Sequence, residues 1–320
     1  MSFAAESATV RRGVLTSSVT QAMSITVPLG LPVFFVVALL SGWLGLVFGF
    51  SPEAVVWLAL AGIVHFVWGR YCNYRATKAM GANLAAPVQQ CSILVTLALA
   101  IYVLGEYLTP LRVFGIALVI LGPALAYERK EKKEPVAAAT IELNPHKVFQ
   151  PKYAEGYFFG FLSTTGYGIS PILVRLALES KGLEYSIAGG LISYIAATAA
   201  FALMLLWPGQ WRHVRSLDRS AGRWFVVSGL CVCVAQMLRY MALSVAPVAV
   251  VAPIQRLSLV FRFYFARLIN PQHEVFGGRV IVATIASLVG AVALSASTDV
   301  VQGALPLPEW AIATLNWRWP

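Results

Sequence analysis

Polar side chains occur at several points inside stretches of the sequence that are otherwise apolar. Arg256 is the clearest example, because it follows an apolar run that begins at Val248. If this run is a membrane helix, Arg256 lies roughly 12 Å along it, and an arginine near the bilayer centre costs about 2.5 to 3.5 kcal/mol. We therefore predict that Arg256 faces a cavity and contacts the carboxylate or phosphate of a bound molecule. Pairing with helix carbonyls is the structural alternative.

A second group of candidates for a polar site has neutral side chains. Amides beside a helix-kinking proline could form a binding surface together with freed backbone carbonyls, and a histidine could titrate near neutral pH. These candidates are Gln89, Gln90, Gln255, Asn73, Gln236 and His65. Hydrogen bonding between helices explains the amides equally well, and packing is the more common role for a lone histidine such as His65.

Four further residues are assigned to a gate or to the structure of the helices. Pro87 and Pro253 are expected to kink their helices. Arg239 is predicted to lie near the outer surface as a gate or an anchor, and Arg262 is predicted to extend toward the cytoplasmic surface. The fourteen acidic residues are predicted to lie in loops or at helix ends, so we expect no buried carboxylate for proton coupling.

The sequence contains no pattern of a catalytic centre or a metal site. The histidines His65, His146, His213 and His273 are not paired at ligand spacing, and no Gly-x-Ser-x-Gly elbow occurs. The four cysteines lie in apolar segments and are assigned to packing. We predict no catalytic residue, no metal ion and no cofactor.

Composition places these residues in a membrane. The chain has 320 residues, of which 58% are hydrophobic and 12% charged, and its mean hydropathy is +0.73. These values exclude a soluble enzyme and a disordered chain, and continuous apolar runs favour helices over a β-barrel. The net charge of +10 is explained by basic residues that collect in the cytoplasmic loops of a membrane protein. We predict contacts with lipid and a small-molecule substrate but not with nucleic acid, and we leave a homodimer open.

Apolar runs predict nine helices, at Met23–Phe48, Ala54–Tyr74, Leu84–Leu104, Leu111–Tyr127, Tyr157–Leu178, Ile187–Trp207, Trp224–Val245, Val248–Leu268 and Phe276–Ser297. A charged, proline-containing segment between the fourth and fifth is predicted to be a linker. The domain boundaries that follow are a first repeat at 1–127, a linker at 128–153, a second repeat at 154–297 and a tail at 298–320.

Most of the 24 lysines and arginines, Arg70 among them, fall on one side when loops alternate across the membrane. Such a bias predicts that the N-terminus and the linker are cytoplasmic and that the tail is external. No segment resembling a cleaved signal precedes the first helix. The expected location is the inner (plasma) membrane.

The two parts of the chain share a pattern. Tyr74-x-Ala76 followed by Ala86-Pro-Val-Gln-Gln90 recurs as Tyr240-x-Ala242 followed by Ala252-Pro-Ile-Gln-Arg256, at identical spacing. The matched helices are predicted to run in opposite directions, which is typical of the inverted repeats of transporters.

The predicted fold class is an all-α polytopic membrane protein, built as an inverted repeat of five-helix units in which the first helix of the first unit is missing or truncated. Residues Met1–Val19 are a candidate vestige of that helix. A start site placed too far downstream is one explanation, and loss of the helix is the other.

This arrangement resembles the EamA-type branch of the drug/metabolite transporter superfamily. The resemblance rests on the Tyr-x-Ala helix ending, the proline in the next helix, and Gly105-Glu106-Tyr-Leu-Thr109 followed by Phe114-Gly115. It implies a secondary transporter with ten helices and a substrate pathway between the repeats. The sequence departs from the pattern in the first helix and in the second repeat, where Asn270-Pro-Gln-His-Glu274 replaces the Gly-Glu turn.

Three functions remain open at this point. The favoured one is a secondary transporter, an exporter or exchanger, of a small anionic or zwitterionic metabolite. A non-transporting membrane subunit would account for the missing helix. A membrane-embedded enzyme is the least favoured, because clustered acids, bases or metal ligands are lacking.

Overall fold

The computed structural model describes residues 1–104, 109–126, 149–178, 181–246, 248, 251 and 255–295. Regular structure in these ranges is helical. The α-helices are α1 (Ser2–Val14), α2 (Val19–Thr26), α3 (Gly30–Leu40), α4 (Pro52–Gly62), α5 (Arg70–Met80), α6 (Ala82–Gln90), α7 (Ser92–Leu104), α8 (Pro110–Ala126), α9 (Tyr153–Leu178), α10 (Glu184–Leu205), α11 (Gln210–Arg215), α12 (Arg219–Val245), α13 (Ser258–Ile269) and α14 (Gly278–Ser295). A 3₁₀ helix covers Leu44–Gly49, and a π-helix at Ile63–Gly69 joins α4 to α5.

Six helical segments are long and apolar enough to cross a membrane, and α8 and most of α14 form shorter apolar helices. The predicted all-α polytopic class is confirmed. Each predicted helix has a helical counterpart, but the first is shorter than predicted, because α3 ends at Leu40 and the chain turns at Gly42, whose φ is +74°. The predicted linker and tail lie almost entirely outside the described residues, so their boundaries stay predictions.

The first helix, predicted to be missing or truncated, is present as the short helix α1. It has 13 residues, against 26 in α9. Helix α1 packs on α12 and α13, whereas α9 packs on α5 and α7, as expected if α1 and α9 are equivalent helices of an inverted repeat. Helix α1 is not recognisable as a membrane helix in the sequence, because Glu6, Arg11 and several hydroxyl side chains interrupt its apolar residues. These side chains are tolerated because α1 is buried in protein rather than exposed to lipid.

Both repeats contain a helix break at the same position. In the first, Cys91 separates α6 from α7, four residues after Pro87. In the second, Leu257 lies just before α13, at the same spacing that separates Ala86 from Ala252. Proline removes one backbone donor and disfavours a continuous helix. Gln90 and Ser92 flank the first break, and Arg256 lies just before Leu257 at the second.

The helices α8 and α14 pack closely against each other at two glycines. A Cβ added to Gly115 would lie 2.8 Å from the carbonyl oxygen of Gly290, and a Cβ added to Gly290 would lie 2.8 Å from that of Gly115. Small residues allow such an approach in a membrane. The largest apolar cluster lies elsewhere, among α2, α3, α4, α10 and α12.

Candidate functional site

A polar cavity of about 130 Å³ lies among the helices of the two repeats. Every residue predicted to bind substrate lines it, although the predictions came from separate segments of the chain. These residues are His65, Asn73, Gln89, Gln90, Gln236, Gln255 and Arg256. Arg239 and Arg262, assigned above to a gate or to structure, also line it.

Arg256 has few hydrogen-bond partners for a half-buried arginine. Its Nη2 donates a hydrogen bond of 2.9 Å to Ser92 Oγ, while its Nε has no hydrogen-bond partner among the described residues. The side chain is partly exposed, and the surface that it exposes lines the cavity. Within the described ranges, the two ion pairs are Arg11–Glu274 and Arg75–Glu155. Arg256 therefore presents donors to the cavity without a carboxylate to neutralise it.

Arg262 does not extend to the membrane surface as predicted. It is only 7% exposed, and both of its terminal nitrogens donate to Gln89 Oε1 at 3.0 Å. Gln89 in turn donates to Asn73 Oδ1. The prediction failed because the sequence gives the position of a residue along a helix but not the direction of its side chain. Here the side chain turns toward α6.

Arg239 does not lie near the outer surface either. It is 4% exposed and joins His65, Ser170 and Gln236 in a ring of hydrogen bonds inside the protein. Arg239 Nη1 donates to Gln236 Oε1 at 3.0 Å, and Nη2 donates to Ser170 Oγ at 2.8 Å. Gln236 Nε2 lies 2.9 Å from His65 Nε2, and Ser170 Oγ lies 2.8 Å from His65 Nδ1.

This ring defines the protonation state of His65. Because Gln236 Oε1 accepts from Arg239, its amide nitrogen donates to His65 Nε2, which must then be unprotonated. The proton of the imidazole is consequently on Nδ1, directed at Ser170 Oγ. His65 lies on the π-helix Ile63–Gly69, and such segments are frequent at functional sites. A neutral His65 beside Arg239 adds no charge to the cavity.

Two charged residues of the cavity were missed by the sequence analysis. Arg70 was assigned to the cytoplasmic side of the membrane, yet it is 2% exposed, donates to the Thr26 carbonyl at 2.7 Å, and has an Nη2 without a partner. Glu6 is 6% exposed on α1 and lines the cavity. The expectation that no carboxylate is buried is therefore wrong. The sequence did indicate that Arg70 lies within the membrane, because this residue falls inside the predicted helix Ala54–Tyr74 rather than after it.

Three further residues predicted from the sequence have different positions relative to the cavity. Gln90 is 2% exposed and its Oε1 has no partner, so it offers an acceptor to the cavity. Gln255 is partly buried beside Arg256. Pro87 lies inside α6 and is not among the residues that line the cavity. Pro253 lies outside the described residues.

The charges around the cavity are unequal. Arg70, Arg239, Arg256 and Arg262 line it together with a single described acid, Glu6. Arginine forks match the geometry of carboxylate and phosphate groups. Among the described residues, no group of three or more histidine, cysteine or acidic residues is placed to hold a metal ion. The arrangement is suited to holding an anion.

A second buried charge network lies where α1 ends. Arg11 donates to the carbonyls of Thr77 and Lys78 at 3.0 Å and of His273 at 2.8 Å, and its Nε lies 3.6 Å from Glu274 Oε1. Glu274 accepts from the first backbone N–H groups of α6, those of Ala82 and Asn83, at 2.7 and 3.0 Å.

The turn before α6 is shaped for this contact. Gly81 has a φ of +88°, and a Cβ there would lie 2.8 Å from Glu274 Oε2. Burial raises the pKa of the Glu274 carboxyl, and Arg11 and the two N–H groups oppose that rise. The network ties α1 to the turns before α6 and α14.

Residues 1–127 match the model of the EamA-like transporter family. This part of the chain is EamA-like. The match includes α1, and it confirms the resemblance inferred from sequence. Over the whole length, the chain resembles a solved structure titled "Crystal structure of protein", with a TM-score of 0.59, 17% identity, and coverage of 91% of this chain and 92% of the other. At this identity the likeness shows a shared fold.

No curated protein matches the chain. The EamA-like family is a family of transporters, and the six apolar segments are those of a multi-pass membrane protein. The chain is accordingly a multi-pass membrane protein whose first 127 residues resemble transporters of this family.

Proposed function

We propose that this protein is a secondary transporter, an exporter or exchanger in the inner (plasma) membrane, of a small metabolite that carries an anionic group. The observation that carries the proposal is Arg256, a cation in the cavity with an unpartnered Nε and no carboxylate in contact among the described residues. A guanidinium enclosed in this way has a high cost of desolvation. Binding of a substrate anion would offset part of this desolvation cost.

The neutral side chains fit a supporting role. Gln90 offers an unpaired acceptor, and Gln255, Asn73 and Gln236 place further amides along the cavity wall. Amides and backbone groups can orient the uncharged part of a metabolite through hydrogen bonds. The helix breaks at Cys91 and Leu257 resemble the interrupted helices that form substrate sites in other transporters.

The size of the cavity limits the substrate. About 130 Å³ is close to the roughly 150 Å³ cavity that holds benzene in another protein. A molecule of this size class fits without movement of the helices, and a larger one requires an opening motion.

The test is uptake into proteoliposomes by purified protein, with succinate, glycerol 3-phosphate, alanine and glycerol as probes. We expect uptake of at least one charged probe above that of protein-free vesicles. Arg256→Gln should lower its apparent affinity about ten- to hundredfold, because a hydrogen bond to a charged group contributes about 1.5 to 3 kcal/mol. The control is Arg75→Gln, since Arg75 pairs with Glu155 outside the cavity.

Two results would contradict the proposal. Folded protein that carries none of the charged probes would favour the non-transporting subunit. Equal loss of uptake for glycerol and for a charged probe in Arg256→Gln would assign Arg256 to structure.

A further inference from the structure

The cavity carries more positive charge than one monoanion can neutralise. Four arginines line it, and the one described acid that lines it is Glu6. The hydrogen-bond ring around His65 requires the neutral imidazole. The formal charge of the described lining is therefore strongly positive, and a zwitterion, whose net charge is zero, would leave it unchanged.

The arginines of the cavity bond to neutral groups. Arg239 donates to Gln236 Oε1 and Ser170 Oγ, and Arg256 donates to Ser92 Oγ. Arg70 and Arg262 donate to a carbonyl and to an amide oxygen. In the described part of the chain, none of these four arginines forms an ion pair.

Glu6 is not engaged as the partner of an arginine. The hydrogen bond from Ser7 Oγ to its Oε2 is long at 3.5 Å. No ion pair links Glu6 to Arg70 or Arg262 in the described part of the chain. A carboxylate in this position could do one of two things. It could bind the ammonium of a zwitterion, or it could repel an anion held by the arginines.

We propose that the cavity takes a compact oxyanion with a net charge of −2 or more, a dicarboxylate or a phosphate ester, and that Glu6 opposes its binding rather than contacting an ammonium. The inference rests on the proposed function and narrows its substrate class. The guanidinium group of an arginine binds carboxylates and phosphates through two parallel hydrogen bonds. A ligand with two negative charges also neutralises more of the positive charge of the four arginines than a ligand with one.

The experiment uses ligands of nearly equal size and different charge with the full-length protein in detergent at neutral pH. These are succinate, succinamate, succinamide and γ-aminobutyrate, with glycerol 3-phosphate as the phosphate ester. The measured quantity is the ligand concentration that gives half-maximal thermal stabilisation. We expect a dianion to act at a concentration at least about tenfold below that of succinamate or γ-aminobutyrate, as one extra charge–charge interaction at an effective dielectric of about 20 predicts.

The variant Glu6→Gln separates the two roles of Glu6. It removes a negative charge and keeps the shape, so the affinity for the dianion should stay the same or rise, by up to about tenfold. A loss of dianion affinity in a folded Glu6→Gln protein would overturn the proposal. The native-protein series keeps the proposal testable if the variant does not fold.

The outcomes distinguish this inference from the proposed function. If γ-aminobutyrate or succinamate binds as well as succinate and depends on Arg256, the transporter proposal stands and the dianion proposal falls. If succinamide binds as well as any charged ligand, both fall. Stabilisation by neither succinate nor glycerol 3-phosphate also overturns the dianion proposal.

Discussion

Two arginines of this protein are both enclosed but differ in what surrounds them. Arg11 is 1% exposed, and three carbonyls and the Glu274 carboxylate surround its guanidinium, which also lies 4.2 Å from the centre of the Phe149 ring. Among the described residues, Arg256 has one hydroxyl partner and an Nε without a hydrogen-bond partner. Arg11 therefore stabilises the fold, whereas Arg256 keeps donors free for a ligand.

The largest expected effect concerns Arg11→Gln. Removing this cation leaves Glu274 buried without its counter-ion and leaves three carbonyls without their donor. Breaking a buried pair in this way costs about 3 to 5 kcal/mol. The temperature midpoint of unfolding in detergent should fall well below that of the native protein.

The comparison between Arg11 and Arg256 is tested by making the same substitution at the second residue, Arg256→Gln. It removes a cation that forms no ion pair among the described residues, so the unfolding midpoint should change little. Arg75→Gln is a second control, because Arg75 forms a pair in which both side chains are about one-third exposed, and such pairs contribute about 0 to 1 kcal/mol. If Arg256→Gln lost as much stability as Arg11→Gln, the distinction between the two arginines would be wrong.

A smaller effect is expected for Ser92→Ala. The Ser92 hydroxyl, just after the break in the helix, accepts the 2.9 Å hydrogen bond from Arg256. Its loss should weaken anion binding by about two- to tenfold, because a typical hydrogen bond contributes about 0.5 to 1.5 kcal/mol. Thr96→Val is the control, since Thr96 also lines the cavity but bonds to backbone carbonyls. An equal decrease in both variants would show that Ser92 does not position Arg256.

The sequence predicts the polar lining of the cavity better than it predicts the charges. A glutamine or an arginine in an apolar run has to turn inward or find a partner, so His65, Gln89 and Arg256 could be recognised from type and position alone. Their convergence in one cavity could not be read directly, because it depends on how the helices of the two repeats pack.

The missed residues have physical reasons. Glu6 lies on α1, whose 13 residues contain no apolar run and are buried against other helices instead of lipid. Arg70 was assigned to the membrane surface because the predicted helix ended at Tyr74, whereas the helical segment continues to Met80. Arg239 was predicted near the outer surface from its position along the chain, but its side chain turns inward to Ser170.

The central claim is that the arginines of the cavity hold an anion. It is tested most directly by diffraction from crystals soaked in selenate, a divalent oxyanion with a strong anomalous signal. We predict an anomalous peak within hydrogen-bonding distance of Arg256, on the side where Arg239 also lines the cavity. Peaks confined to surface cations such as Arg212 and Arg215, with none in the cavity, would contradict the account.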